Sequence, residues 1–282
     1  KTMRTQTYGE EVKLARGLDI LLNPFSSVGG MGPISMSKEI VLKQETIIEF
    51  ECDDYELGSQ ALRLKAKGGF GKWGEFTDDM YIYDKYIFSE NLEGKRFSVL
   101  SKSLEMPFRI DEMIYIISQD YCFVNAPETI KEQLGNMNLS NIKFDDEDCA
   151  GKKVCFDVGG CDIIVKGEKC EDYICENAYE YGTVEKKGRE MKFTGDALLY
   201  AAIFSDYDNY ECNLNRLMNR LASLCDIYEE KTDLMDTNCN ADDITDELIG
   251  LRKNAESKNM EQLYSASQNL MEKNSNLGCQ VF

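Results

Sequence analysis

Lys152-Lys153-Val154-Cys155-Phe156-Asp157-Val158-Gly159-Gly160-Cys161-Asp162-Ile163-Ile164-Val165 sets two β-like runs, Lys153–Asp157 and Asp162–Val165, on either side of a Val158-Gly159-Gly160 turn. A glycine pair between β-branched runs is hairpin chemistry, because such turns need positive φ. The stretch therefore predicts an antiparallel hairpin over 153–165. It also lies in a wider cluster: Cys149, Cys155, Cys161, Cys170 and Cys175 fall within 27 residues, and none forms a Cys-x-x-Cys pair.

A structural zinc site draws four thiolates into a tetrahedron and normally shows two close pairs. Disulfides need only two Cα atoms about 4.4–6.8 Å apart, at any sequence distance. The spacing favours disulfides over zinc or iron–sulfur ligation and over unrelated buried thiols. The bridge-forming candidates are Cys52, Cys122, Cys149, Cys155, Cys161, Cys170, Cys175, Cys212, Cys239 and Cys279. Eleven cysteines is an odd number, so at least one thiol is unpaired or joined to another chain. Cys225, on the apolar stripe of a helical pattern where a small hydrophobe fits, is the expected free thiol. Cys239 is expected to join Cys279 or Cys212. Bridges on this scale imply an oxidising compartment, hence an extracellular or cell-surface location.

Upstream of the cluster the pattern has period two. Glu39–Lys43, Thr46–Glu51, Ala61–Lys67, Tyr81–Tyr83, Lys85–Phe88, Phe97–Ser101 and Met113–Ser118 read as strands of an antiparallel sheet, and Pro127–Leu134 as a short helix. Further strands are expected at Ile142–Phe144, Val184–Lys187 and Met191–Thr194. Tyr8, Val12, Ala15, Leu18 and Leu22 predict a helix over 2–22, which Asn23-Pro24 ends, and Phe25–Pro33 has turn composition. From about 196 the code is helical. Leu214, Leu217, Met218, Leu221, Leu224, Cys225 and Tyr228 mark one wide apolar face, with Arg216, Arg220, Glu229 and Lys231 outside it. Ile244, Leu248, Leu251 and Ala255 mark a second helix, and Met260, Leu263, Ala266 and Leu270 a third. The expected fold class is α+β: an N-terminal helix and linker (1–36), a β-rich cysteine-containing domain (37–195) and a small helical bundle (196–282). The apolar ending Leu277–Phe282 should be tied down.

The 282 residues carry 32 basic and 51 acidic side chains, a formal charge of −19. That balance argues against nucleic acid or an anionic membrane surface as the main partner. The chain has no histidine, which excludes Ser-His-Asp and Cys-His catalysis, histidine metal sites and imidazole switching. No apolar run approaches the ~18–20 residues that cross a bilayer. The chain opens at Lys1, so any export or anchor element is expected in an upstream segment, and membrane attachment only through it.

Several motifs invite a chemical reading. Gly69-Phe70-Gly71-Lys72-Trp73-Gly74 matches Gly-x-Gly-x-x-Gly, but the acidic, β-like continuation Glu75–Tyr83 lacks the helix that would hold a pyrophosphate, so no nucleotide cofactor is expected. Asp236-x-Asn238-x-Asn240 with Glu247 resembles an EF-hand loop, yet its sixth position is Ala241 instead of glycine, so it reads as a helix–helix connection. Asp145-Asp146-Glu147-Asp148 and Asp206-x-Asp208 read as solvated loops, and no metal is expected. Asn138-Leu139-Ser140 is the one glycosylation sequon. Phe70, Trp73 and Phe76 are the candidate contact surface, although period-two aromatics more often pack a sheet.

Three groups of residues together resemble a set of uncharacterised archaeal membrane-anchored, pilin-like exported proteins with a cysteine-rich α+β ectodomain. The first is Lys85-Tyr86-Ile87-Phe88-Ser89 with Ser101-Lys102-Ser103-Leu104-Glu105-Met106-Pro107-Phe108. The second is Asp120-Tyr121-Cys122-Phe123-Val124. The third is Tyr210-Glu211-Cys212-Asn213-Leu214-x-Arg216-Leu217-Met218 with the ending Gly278-Cys279-Gln280-Val281-Phe282. In that family an apolar N-terminal helix precedes the exported domain, and Leu18–Pro24 matches the segment just after it. The resemblance implies an external location and no catalytic residues. The leading expectation is a non-enzymatic extracellular structural protein, anchored or filament-forming, with self-association or another cell-surface protein as partner. An adhesin or receptor module binding a glycan, peptide or surface protein comes second, and a carboxylate-dependent extracellular hydrolase third.

Overall fold

The computed structural model describes residues 36–68, 71–146, 148–170, 177–235, 241–277 and 279–282. The expected helix over 2–22 and the linker after it lie outside them. The first sheet holds β1 (Met36–Asp53), β2 (Ser59–Ala66), β3 (Met80–Ile82), β4 (Tyr86–Ser89), β5 (Leu92–Glu105) and β6 (Arg109–Ile117), in the order β3-β2-β1-β5-β6-β4. The two strands expected at 39–51 are one long strand, β1, whose pairing with β5 slips between Val41 and Thr46.

Period-two alternation sends this sheet's side chains to two cores. Ile87, Phe97, Val99, Ile114 and Ile116 join Ile40, Ile48, Leu62, Leu64 and Ile82 in an inner cluster. Tyr86, Phe88, Leu100, Met113, Tyr115 and Ile117 face the other way, into the main core. The sheet curls around the inner cluster, and Gln60 draws its two ends together. This fully buried side chain donates from Nε2 to the Ile87 carbonyl at 2.9 Å and accepts from the Ile87 N–H at 2.8 Å, so an amide in β2 imitates a ladder bond to β4.

The second sheet holds β7 (Tyr121–Val124), β8 (Ile142–Phe144), β9 (Lys152–Phe156), β10 (Ile163–Lys169), β11 (Tyr179–Lys186) and β12 (Arg189–Thr194), in the order β12-β11-β10-β9-β7-β8. Helix α1 (Glu128–Gly135) crosses between the parallel pair β7 and β8. Both sheets are mixed, which corrects the antiparallel expectation: β4·β6, β7·β8, β7·β9 and β9·β10 are parallel. The hairpin expected over 153–165 is among the corrections. Val154, Cys155 and Phe156 pair in parallel with Ile163, Ile164 and Val165. The chain returns within 157–162 because Asp157 and Gly160 take positive φ (60° and 91°) and a Cys155–Cys161 disulfide spans the return.

Helices α2 (Gly195–Phe204), α3 (Tyr207–Leu234), α4 (Asp242–Ser257) and α5 (Met260–Asn276) complete the fold. Every residue of α2 from Asp196 to Phe204 is buried, as an apolar-all-round sequence requires. The main core holds Phe123, Phe156, Phe193 and Phe204 together with Leu214, Leu221, Ile244, Leu251 and Leu263, so it runs through position 196. The tail is pinned: Val281 is buried, its N–H bonds Asn274 Oδ1 at 2.8 Å, and the Phe282 ring meets Phe108 edge-on with centroids 5.4 Å apart.

Candidate functional site

A cleft of ≈ 520 Å³ opens where the end of β1, the β11–β12 turn and the start of α3 meet. Its charged lining comes from Glu51, Glu90, Lys186, Lys187, Arg189, Asp206 and Asp208. Glu90 follows β4 directly and is buried, and three lysines converge on it. Lys152 Nζ lies 2.5 Å and Lys186 Nζ 3.2 Å from Oε2, with Lys187 Nζ 3.0 Å from Oε1. Burial alone would raise the carboxyl pKa, but the lysines, Lys186 foremost, overcome this and hold it at about 2. Lys186 is itself buried and donates to the carbonyls of Ile203 at 2.7 Å and Ser205 at 2.8 Å. Desolvation pulls its pKa down to about 8 against the opposing pull of Glu90. At neutral pH the floor is an ionised carboxylate and an ammonium whose three hydrogens each have an acceptor. Such a group fastens β11 to the end of α2 and has no free lone pair for nucleophilic work. At the mouth, Arg189 pairs with Asp208 at 2.8 Å and lies 4.8 Å from the Tyr207 ring, while Asp206 caps α3 through the Asn209 N–H.

A second, smaller cavity of ≈ 130 Å³ includes Lys102, Asn177, Asp196 and Tyr264 in its lining. Asp196 is fully buried at the start of α2, and burial raises its pKa. Both carboxylate oxygens are engaged, by the Ala178 N–H and by Gln133 Nε2, each at 2.9 Å.

No family model, curated protein or solved structure matches the chain. Cys52 is bonded to Cys212, Cys122 to Cys149 and Cys155 to Cys161; Cys170 and Cys279 are also in disulfides. Cys175 and Cys239 lie outside the described residues. The bond to Cys52 removes Cys212 as the partner expected for Cys239. Cys225 is a buried free thiol, and desolvation pushes its pKa up to about 12.

Trp73 and Phe76 are half-buried, and Phe70 lies outside the described residues. Cations cover the rings: Lys67 Nζ is 5.5 Å from the Trp73 centroid and Lys65 Nζ 4.2 Å from Phe76. The glycine-rich segment leads into β3, with Gly74 N–H bonded to Ala66 O and a Lys67–Trp73 bridge. Glu247 of the EF-hand-like motif accepts from Lys273 at 2.7 Å, and Asp236, Asn238 and Asn240 lie outside the described residues. Asp145 pairs with Lys131 and Asp146 with Lys143. Among the described residues no group of three or more His, Cys, Asp or Glu side chains could hold a metal ion. Asn138 is exposed in the turn after α1, and Ser140 Oγ donates to Glu39 Oε2 at 3.0 Å.

Sequence reasoning did not single out Glu90, Lys186, Gln60 or Asp196. Arg216, expected outside the apolar face of α3, is fully buried. Its guanidinium donates to the carbonyls of Leu57 (3.1 Å), Lys85 (3.2 Å) and Tyr83 (3.1 Å), to Asn213 Oδ1 (2.9 Å), and stands 4.7 Å from the Tyr86 ring. The face opposite the bundle is covered by the first sheet, and main-chain carbonyls take the place of water.

Proposed function

We propose that this chain is the body of a non-enzymatic extracytoplasmic surface component, a covalently stapled scaffold that presents contact surfaces to other proteins. One observation carries the reading: the only free thiol among the described residues is buried and strongly disfavoured as thiolate, while eight other described cysteines are oxidised. Disulfides on this scale form and persist in oxidising compartments and are rare where cytosolic reductants act. The carboxylate chemistry favours scaffold over hydrolase. Glu90, facing the larger cleft, is held ionised by three lysines, whereas a general acid needs a proton near neutral pH. Asp196 has the raised pKa, but both its oxygens are hydrogen-bonded to neighbours.

Labelling of intact source cells with a membrane-impermeant amine reagent tests the proposal. Lysine peptides of this chain are expected to be modified before lysis, and non-reduced protein to yield a single alkylated cysteine, Cys225, after denaturation. Modification only in lysates, or many free thiols in freshly denatured native protein, overturns it.

A further inference from the structure

The loop Cys52–Gly58 is fastened to one stripe of α3 by side chains at spacings of three and four, which share a helix face. Cys212 closes the disulfide to Cys52, with Cα atoms 6.1 Å apart. Asn215 Nδ2 donates to Asp54 Oδ2 at 2.5 Å, Arg216 Nε to Leu57 O at 3.1 Å, and Asn219 Nδ2 to Glu56 O at 2.5 Å. Gly58 takes φ +56°, and a Cβ there would stand 2.0 Å from Asp53 O, so the tight turn requires glycine. What this anchoring holds in place is apolar and faces water: Tyr55 is 76% and Leu57 46% exposed. The same guanidinium grips the carbonyls of Tyr83 and Lys85, bringing the end of β3 alongside, with Tyr83 67% and Tyr81 61% exposed. A loop serving only as a connection is content with a polar tip. Large rings carried on a fastened main chain suit a binding surface, because little backbone entropy remains to be lost on contact.

The rim names the partner's chemistry. Asp53, Asp54, Glu56 and Asp84 are exposed and adjoin these residues in the chain; Asp53 accepts from the Tyr55 N–H and Asp54 from Asn215, and none of the four forms an ion pair among the described residues. We propose that Tyr55, Leu57, Tyr81 and Tyr83 form a docking surface for a basic polypeptide, one that brings lysine or arginine side chains to the acidic rim and over the tyrosine faces, and aliphatic groups to the centre. A second copy fits poorly, since a symmetric contact sets the same acids against each other in a chain of charge −19. This deepens the surface-component reading and rests on it for a partner outside the cell. The assay uses purified protein, so its failure and a failure of cell-surface labelling are separate results.

The probes are a synthetic twelve-residue peptide alternating Lys with Leu and a control of equal charge alternating Lys with Ser, titrated calorimetrically into the full chain at 50 and 300 mM NaCl. The Lys/Leu peptide is expected to bind at least about tenfold more tightly than the control. Tyr55→Ser with Tyr83→Ser should abolish that preference without changing the melting temperature, since both side chains are exposed. Glu56→Gln with Asp84→Asn should flatten the salt dependence and leave the preference for Leu. Equal binding of both peptides, retention of the preference in the tyrosine variant, or no binding at 1 mM peptide overturns the proposal. So does a dimer, seen by sedimentation, that the tyrosine variant loses.

Discussion

Glu90→Gln removes the charge opposite Lys186 while keeping the shape of the side chain, so its effect isolates electrostatics from packing. In the folded protein the Glu90 carboxyl sits at about 2 against an ordinary 4.5. At about 1.4 kcal/mol per pH unit, that difference corresponds to about 3 kcal/mol of stability at neutral pH. Breaking one partner of a buried ion pair typically costs about 3–5 kcal/mol, the same order. Stability rises with pH in two separate windows, one at each end of the scale. Because the folded carboxyl is depressed, its contribution is complete above pH 4.5 and is lost as pH falls toward 2. Lys186 is also depressed, from 10.5 to about 8, so between those values the unfolded chain holds a proton that the folded one has released, and stability rises with pH. In the variant the carboxylate that kept Lys186 charged is gone, Lys152 and Lys187 still repel it, and the rise begins below pH 8. Urea unfolding at pH 5, 7 and 9 should show the variant about 3 kcal/mol less stable than wild type at pH 7, with the gap narrowing at pH 9. Equal midpoints at pH 7, or a gap that stays constant with pH, would refute the account of this cluster.

Arg216→Met should lower stability by about 2–4 kcal/mol, since three main-chain carbonyls and Asn213 lose their donor, and should open residues 53–58 to proteolysis; unchanged melting and cleavage would contradict its anchoring role. Gln60→Leu should cost about 1–3 kcal/mol and speed hydrogen exchange at the Ile87 amide, because Asn213 also donates to the Ile87 carbonyl but only Gln60 accepts from its N–H. An amide equally protected in both proteins would rule out the closing role. Cys225 should not react with a thiol reagent at pH 8 in the folded protein and should add one equivalent on unfolding; rapid native reaction would show it accessible. Replacing Cys52 and Cys212 together by alanine should cost about 3–5 kcal/mol through the 160-residue separation they close, read as a fall in urea midpoint, and an unchanged midpoint would refute it.

How much of this was legible follows from the range of each interaction. Ile142–Phe144, the short helix after Pro127 and the apolar stripes of the C-terminal helices are patterns of neighbours, and they reappear within a residue or two. Strand β7 was missed because Tyr121, Cys122 and Phe123 are all buried and show no alternation. The parallel pairing of β9 with β10 was missed for a different reason. A Gly-Gly turn between two short runs is compatible with either direction, and the deciding feature, a positive φ at Asp157 with the Cys155–Cys161 bond beside it, has no local signature. Glu90 and Lys186 stand 96 positions apart, each one acid or one lysine among dozens. Only the fold makes them neighbours.

Helix α3 shows why a correct stripe can still mislead about its remaining residues. Leu214, Leu217, Leu221 and Cys225 fill the bundle-facing core, and periodicity finds them because apolar side chains announce burial. Cys212, Asn215, Arg216 and Asn219 form a second stripe, turned toward the first sheet, and polarity alone assigns that stripe to solvent. It is instead the face that fixes the Cys52–Gly58 loop, using hydrogen bonds to main-chain carbonyls where a hydrophobic face would use area. The choice has a physical consequence. An apolar contact tolerates sliding, whereas a guanidinium with four acceptors and a disulfide admits one arrangement. A surface of exposed tyrosines needs that kind of positioning, because each ring contributes to binding only if it is already where the partner meets it.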